Sequence, residues 1–198
     1  MDPQLNLDEG TYAKQGGEIK SWSYFSQYLL TASTQEVMLF QTGLGQGANF
    51  LRIDQTNFPA NGQLPNSQKL VIKGIALEYV GGAAKADANM IAIRNWLRTT
   101  VLQLSIVDKS PMLQMRLSRL MGLTLGLFSD PTTTAEPVGF TTRENGSAIF
   151  RLERPITITA AVNFRASILP GVAAAAQQVT DGDVLNVDLI GDLWSRSG

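Results

Sequence analysis

Hydrophobic and polar positions alternate along the later part of the chain. Ile156, Ile158, Ala160, Val162, Phe164, Ala166 and Ile168 take every even position of one stretch, and Thr157, Thr159, Asn163, Arg165 and Ser167 lie between them, with Ala161 as the apolar exception. A period of two sends successive side chains to opposite faces of a sheet, so the pattern predicts one strand over 156–168 with one face buried. At about 3.3 Å per residue such a strand would span about 40 Å, far beyond the common length of about 5–6 residues, which suits the centre of a large antiparallel sheet.

The same alternation marks other strands. Val71, Ile75, Leu77 and Tyr79 share one face of Lys69–Val80, while Leu70 and Ile72 add to the other, so this strand reads as buried on both sides for part of its length. Leu185, Val187, Leu189 and Leu193 alternate with Asn186, Asp188 and Asp192 through Val184–Trp194. Shorter strands are predicted at Glu36–Thr42, Phe50–Asp54, Val101–Val107 and Ala148–Leu152. Asp87 can cap a helix from Ala88 to Thr99, with Met90, Ile93 and Leu97 on one face and Arg94 and Arg98 on another. Met112–Phe128 fits both periods: Leu113, Met115 and Leu117 alternate as a strand, and Leu113, Leu117, Leu120 and Met121 also follow helical spacing. Gly122 and Gly126 favour strand or loop there. About eight strands with Gly/Pro turns and one inserted helix argue for an all-β antiparallel sandwich or jelly roll.

Residues 1–34 read differently. The first twenty are polar and Gly-containing, as in a terminal arm. Trp22, Phe25 and Leu29 then follow helical spacing, and Ser21 can cap a short aromatic helix. That helix either covers an open end of the core or anchors the arm on a neighbouring subunit through Trp22, Tyr24, Phe25, Tyr28 and Leu29, since aromatics concentrate in interface centres. The expected organisation is an arm over 1–34 and one domain over 35–198.

Composition narrows the chemistry. Charged residues make up 17% of the 198 residues, against a usual value of about 25%, which suits a surface partly covered by other protein. The net charge of −1 argues against a dedicated nucleic-acid binder. Ten of the sixteen cations are Arg, the type favoured at planar contacts between subunits. Without Cys or His there is no disulfide, no thiolate nucleophile, no Ser-His-Asp triad and none of the commonest transition-metal ligands. The start of the chain, Met1-Asp2-Pro3-Gln4-Leu5, lacks the basic and apolar regions of a signal peptide, so synthesis and retention in a cytoplasm are expected.

The remaining candidates are turn residues first. Gly43-Leu44-Gly45-Gln46-Gly47 lacks the Lys and the following helix of a phosphate cradle. Asp181 and Asp183 could offer oxygen ligands to calcium, but Asp-Gly-Asp before a strand is ordinary turn chemistry. Glu144-Asn145-Gly146 has the positive-φ residues of a hairpin turn. Glu153 with Arg151 and Arg154 suits either solvated surface or ion pairs between strands or subunits. Asn57–Asn66 and Ser129–Thr142 are loops, the exposed tips being Asn61, Gly62, Thr132, Thr133 and Thr134. No enzyme and no cofactor are expected. A lectin-like sandwich binding carbohydrate or another ligand through these loops is the alternative to a structural protein.

Three short stretches carry a family resemblance: Asn61-Gly62-Gln63-Leu64-Pro65 running into a strand with Gln68, Arg154-Pro155-Ile156-Thr157-Ile158, and Val187-Asp188-Leu189-Ile190-Gly191. With the polar arm before them, the chain resembles the jelly-roll capsid proteins of tailless icosahedral bacteriophages, particularly those with an internal membrane. The resemblance implies two four-stranded sheets standing steeply on a capsid, with loops at the outer surface. It also implies a place in the virion among copies of itself and other capsid proteins, and contact with an internal viral membrane. Specific nucleic-acid binding is not expected. The length leaves room for a single jelly roll, in a major, minor or vertex protein.

Overall fold

A computed structural model of the chain describes residues 17–29, 36–41, 55–59, 62–80, 93, 95–106, 111–121, 149–160, 162–171 and 184–196. Eight strands form among them: β1 (Gly17–Leu29), β2 (Val37–Leu39), β3 (Gln68–Val80), β4 (Val101–Ile106), β5 (Leu113–Arg116), β6 (Ile149–Thr159), β7 (Phe164–Leu169) and β8 (Val184–Arg196). Helix α1 covers 95–99, with Ile93 also helical, and the single turn α2 covers Leu117–Leu120. The strands make two four-stranded antiparallel sheets, ordered β1-β8-β3-β6 and β2-β7-β4-β5. One buried cluster joins them: Leu70, Ile72, Leu185 and Val187 of the first sheet meet Leu102, Leu104, Phe164 and Ile168 of the second, with Trp96 of α1. The fold is therefore all-β and sandwich-like.

The strand expected over 156–168 is two strands. β6 ends at Thr159 opposite Lys69 of β3, and β7 begins at Phe164 opposite Ile106 of β4, in the other sheet. The crossing holds a turn in which the Val162 N–H donates to the Thr159 carbonyl at 3.4 Å. Alternation survives because the core lies between the sheets, so Ile156 and Ile158 of one and Phe164, Ala166 and Ile168 of the other all point inward. A period of two names the buried face, not the sheet. Ala160, within the crossing, is buried instead beside Trp194, Ile19 and Val71. Upstream, β6 also absorbs the expected Ala148–Leu152 strand. It runs through Pro155 where the ladder is irregular, since Ile72 faces Ile156 while Gly74 faces Arg151. At a bulge on the outermost strand of the sheet a proline costs no ladder hydrogen bond.

The two-sided character of β3 has a similar origin. Against β8, Ile72 faces Gly191 and Gly74 faces Ile190, leaving Lys73 as an extra residue. This bulge switches the inward parity, so Leu70 and Ile72 are buried before it and Ile75 and Leu77 after it. Lys73 then points outward and pairs with Asp192.

Residues 17–29 are a strand, not a helix. β1 pairs with β8 without a break from Gly17↔Arg196 to Leu29↔Val184. Tyr24 and Ser26 point into the core at alternate positions, and the helical spacing of Trp22, Phe25 and Leu29 is coincidental. This part of the expected arm thus belongs to the sandwich. Elsewhere, Ile93 and Leu97 are buried on the helical face as expected, and the ambiguous segment from Met112 is both things in turn, β5 then α2. Phe50–Asp54 and Ala161 lie outside the described residues.

Candidate functional site

β1 carries all five residues singled out as interface anchors, and burial divides them. Tyr24 is 3% exposed. Its ring meets Phe58 edge-on at 5.1 Å, and Phe58 continues the cluster to Phe40 and Phe164. Its hydroxyl donates to Gln68 Oε1 at 2.9 Å, and burial pushes its pKa up to about 12. It is a core residue. Tyr28 packs partly on the same core, and Phe25 is half-buried. Trp22 and Leu29 are exposed, Lys20 lying over the Trp22 ring at 5.0 Å. The other side of β1 is covered in its middle. Asn57 Oδ1 accepts from the Phe25 N–H at 2.8 Å while Asn57 Nδ2 donates to the Ser23 carbonyl at 2.7 Å. Thr56 Oγ1 donates to the Phe25 carbonyl, and the Gln27 N–H donates to the Gln55 carbonyl. A side-chain amide here replaces a further strand, which blunts an edge otherwise open to pairing.

Gly62, expected at an exposed loop tip, is buried. Its N–H donates to the Phe40 carbonyl and its carbonyl accepts from the Phe164 N–H, both at 2.9 Å. It adopts φ +65°, a conformation glycine takes at low cost, and ties the end of β2 to the start of β7. Asn61, Thr132, Thr133, Thr134, Glu144, Asn145, Asp181 and Asp183 lie outside the described residues. Among the described residues no three Asp, Glu, His or Cys gather as a metal-ligand set.

A charged surface emerges where no motif announced one. Arg98 on α1 and Arg116 at the end of β5 line one depression with Asn95, Thr99 and Gly171. Arg98, Arg116 and Arg119 of α2 line the next. Arg119 then borders a groove of about 830 Å³ between β5 and β6, whose lining includes Arg151, Glu153 and Arg154 beside Met112, Phe150 and Leu152. All five arginines are exposed, and none pairs with an acid among the described residues. Arg151 and Arg154 were legible as candidates. Arg98, Arg116 and Arg119 come from three separate elements, where each stands at an exposed position beside buried apolar residues.

The outer face of the β1-β8-β3-β6 sheet carries two neighbouring carboxylates, Asp188 and Glu78. Asp188 of β8 is half-buried, and burial raises its carboxyl pKa; Ser23 Oγ donates to it at 3.5 Å, which opposes the rise, and the nearby Glu78 carboxylate adds to it. Glu78 is exposed and accepts from Asn186 Nδ2 at 3.0 Å, and Asn186 Oδ1 accepts from Gln27 Nε2 at 3.1 Å. No cation among the described residues meets either carboxylate. Nearer the Gly17 end of this face, Lys69 Nζ sits 3.5 Å from the centre of the Trp194 ring, and burial lowers its pKa.

These surfaces can hold protein or anions; they carry no assembled nucleophile, base or metal set among the described residues. In comparisons with known proteins, no family model matches the chain and no curated protein matches its sequence.

Proposed function

We propose that the chain is a structural virion protein, a single-jelly-roll capsid subunit that assembles into an icosahedral shell. The observation that carries this reading is the strand pairing. A jelly roll is a long antiparallel hairpin of eight strands rolled over on itself, so the first strand pairs with the eighth, the second with the seventh, the third with the sixth and the fourth with the fifth. The ladders β1·β8, β2·β7, β3·β6 and β4·β5 are all present. The contacts β3·β8 and β4·β7 then join these ribbons into two sheets.

Jelly rolls also serve sugar-binding proteins, so the surface has to separate the readings. Exposed Trp22, Leu29, Met38 and Met112 and the band of arginines, unpaired among the described residues, suit contacts between protein subunits. The loop-binding alternative loses Gly62, which is engaged in backbone hydrogen bonds within the core. In this role the protein resides in the virion, contacting its own copies, other capsid proteins and an internal membrane. Sedimentation of the purified protein over a hundredfold concentration range tests the assignment. Concentration-dependent oligomers are expected; a monomer throughout, together with saturable binding of a sugar, would replace the structural role with the lectin-like one.

A further inference from the structure

The arginine band gives the proposed assembly a direction. Five exposed guanidinium groups, Arg98, Arg116, Arg119, Arg151 and Arg154, run from α1 across β5 and α2 to β6, with Glu153 the one carboxylate among the described residues that line their three depressions. They represent half of the ten arginines in a chain of net charge −1. A near-neutral chain that concentrates cations on one side leaves carboxylates unmatched elsewhere, which makes copies of it complementary to one another. Glu78 and Asp188, neighbours on the outer sheet face, are such a place: they meet no cation among the described residues. Arginine suits this pairing better than lysine, because its planar fork grips a carboxylate with two parallel hydrogen bonds.

We infer that the arginine band of one copy docks on the Glu78 face of the next. Arg98, Arg116 and Arg119 stand on α1, β5 and α2, outside the sheet that carries Glu78 and Asp188, so the contact we infer is heterologous, head to tail. Repetition of such a contact closes a ring when the rotation allows and extends a filament when it does not. The interface rests on the assembly role proposed above and gives that role a polarity. A nucleic acid is a poorer occupant, since the overall charge is slightly acidic.

Charge exchange tests this. The full-length chain, the R116E/R119E variant and the E78R variant are compared by sedimentation at about 0.05 and 0.5 M salt, with thermal melts confirming that each is folded. All three substituted residues are exposed, so native melts are expected. The wild-type chain should associate at low salt and weaken at least about tenfold at high salt, as screening shortens the reach of exposed charge. Each variant alone should lose association by a similar factor, because like charges then face each other. An equimolar mixture of the two should recover it, since every band again meets an opposite face. Variants that associate as the wild type does would overturn this interface while leaving the structural role standing. Loss in both variants without recovery on mixing would show that the band meets something other than the Glu78 face. Unchanged self-association with lost binding of single-stranded DNA or anionic vesicles by R116E/R119E would reassign the band to that ligand. A wild-type chain that never associates removes the structural role itself.

Discussion

Gly191 sits on the inner strand β8 against the backbone of β3, and its replacement by alanine is the sharpest test of the sheet. An added Cβ there would lie 1.9 Å from the Val71 carbonyl oxygen, 2.8 Å from the Val71 carbonyl carbon and 3.0 Å from Ile72 Cα. Ordinary contact begins at 3.4 Å, so relief needs a separation of about 1.5 Å between β8 and β3 (3.4 minus 1.9). All three neighbours are backbone atoms and cannot rotate aside. β8 is also held from its other side, where Gly191 faces Trp22 of β1. Opening the ladder by that distance sacrifices two or three hydrogen bonds worth about 1 kcal/mol each, so Gly191→Ala should cost about 3 kcal/mol. For a chain of this size that lowers the melting temperature by about 6–12 °C. Urea unfolding followed by circular dichroism should show a lower midpoint with an unchanged slope. Gly74→Ala is the control: its Cβ would meet Ile149 Cγ2 at 2.7 Å and the Phe150 carbonyl oxygen at 3.3 Å, and Ile149 is exposed enough to relieve the closer contact by changing its χ1 rotamer. It should cost about 1 kcal/mol or less. A Gly191→Ala protein within about 0.5 kcal/mol of wild type, or a Gly74→Ala protein equally destabilised, would refute the register of β8 against β3.

Three further outcomes follow from buried polar groups. Thr100 Oγ1 is buried without a hydrogen-bond partner among the described residues, so the near-isosteric Thr100→Val should raise stability by about 1 kcal/mol; a loss by urea unfolding would mean that the hydroxyl is satisfied. Tyr24 has a folded pKa of about 12 against 10.0 for the free group, so the fold favours its protonated form. That contribution is whole below pH 10 and is lost as pH rises toward 12. The stability difference between wild type and Tyr24→Phe should change over that window, and a constant difference would contradict the burial of the phenol. Asp188 also has a raised pKa, through burial first and then the charge of Glu78. The contribution of its neutral form is present below the unfolded value near 3.8 and is lost as pH rises through the folded pKa. Asp188→Asn should therefore be more stable than wild type at pH 7, with the gap closing on acidification; a variant less stable at pH 7 would contradict this.

Alternation in the sequence carried the strands well but not their membership of sheets. β8, β4 and most of β3 follow from side-chain period alone, because each buries one face. The 156–168 run misled because its two halves share an inward parity on either side of one core, and nothing local marks the crossing between them. The bulge at Lys73 was visible as apolar residues changing face, and read as two-sided burial when it was a parity switch. β1 was hidden by aromatics whose spacing also fits a helix; its thirteen-residue ladder with β8 is a long-range pairing that local pattern does not encode. Trp96, fully buried beside Ile93 and Leu97, extends the helical face that the pattern had already found. The arginine band was least legible of all, since tertiary structure assembles it from α1, β5, α2 and β6.

The most direct test of the structural role is negative-stain electron microscopy of the purified full-length protein at increasing concentration and low salt. A single-jelly-roll capsid subunit should appear as closed rings or shells of uniform size. A field of isolated particles matching one 21.5 kDa chain, at every concentration and with the melting transition intact, would contradict it.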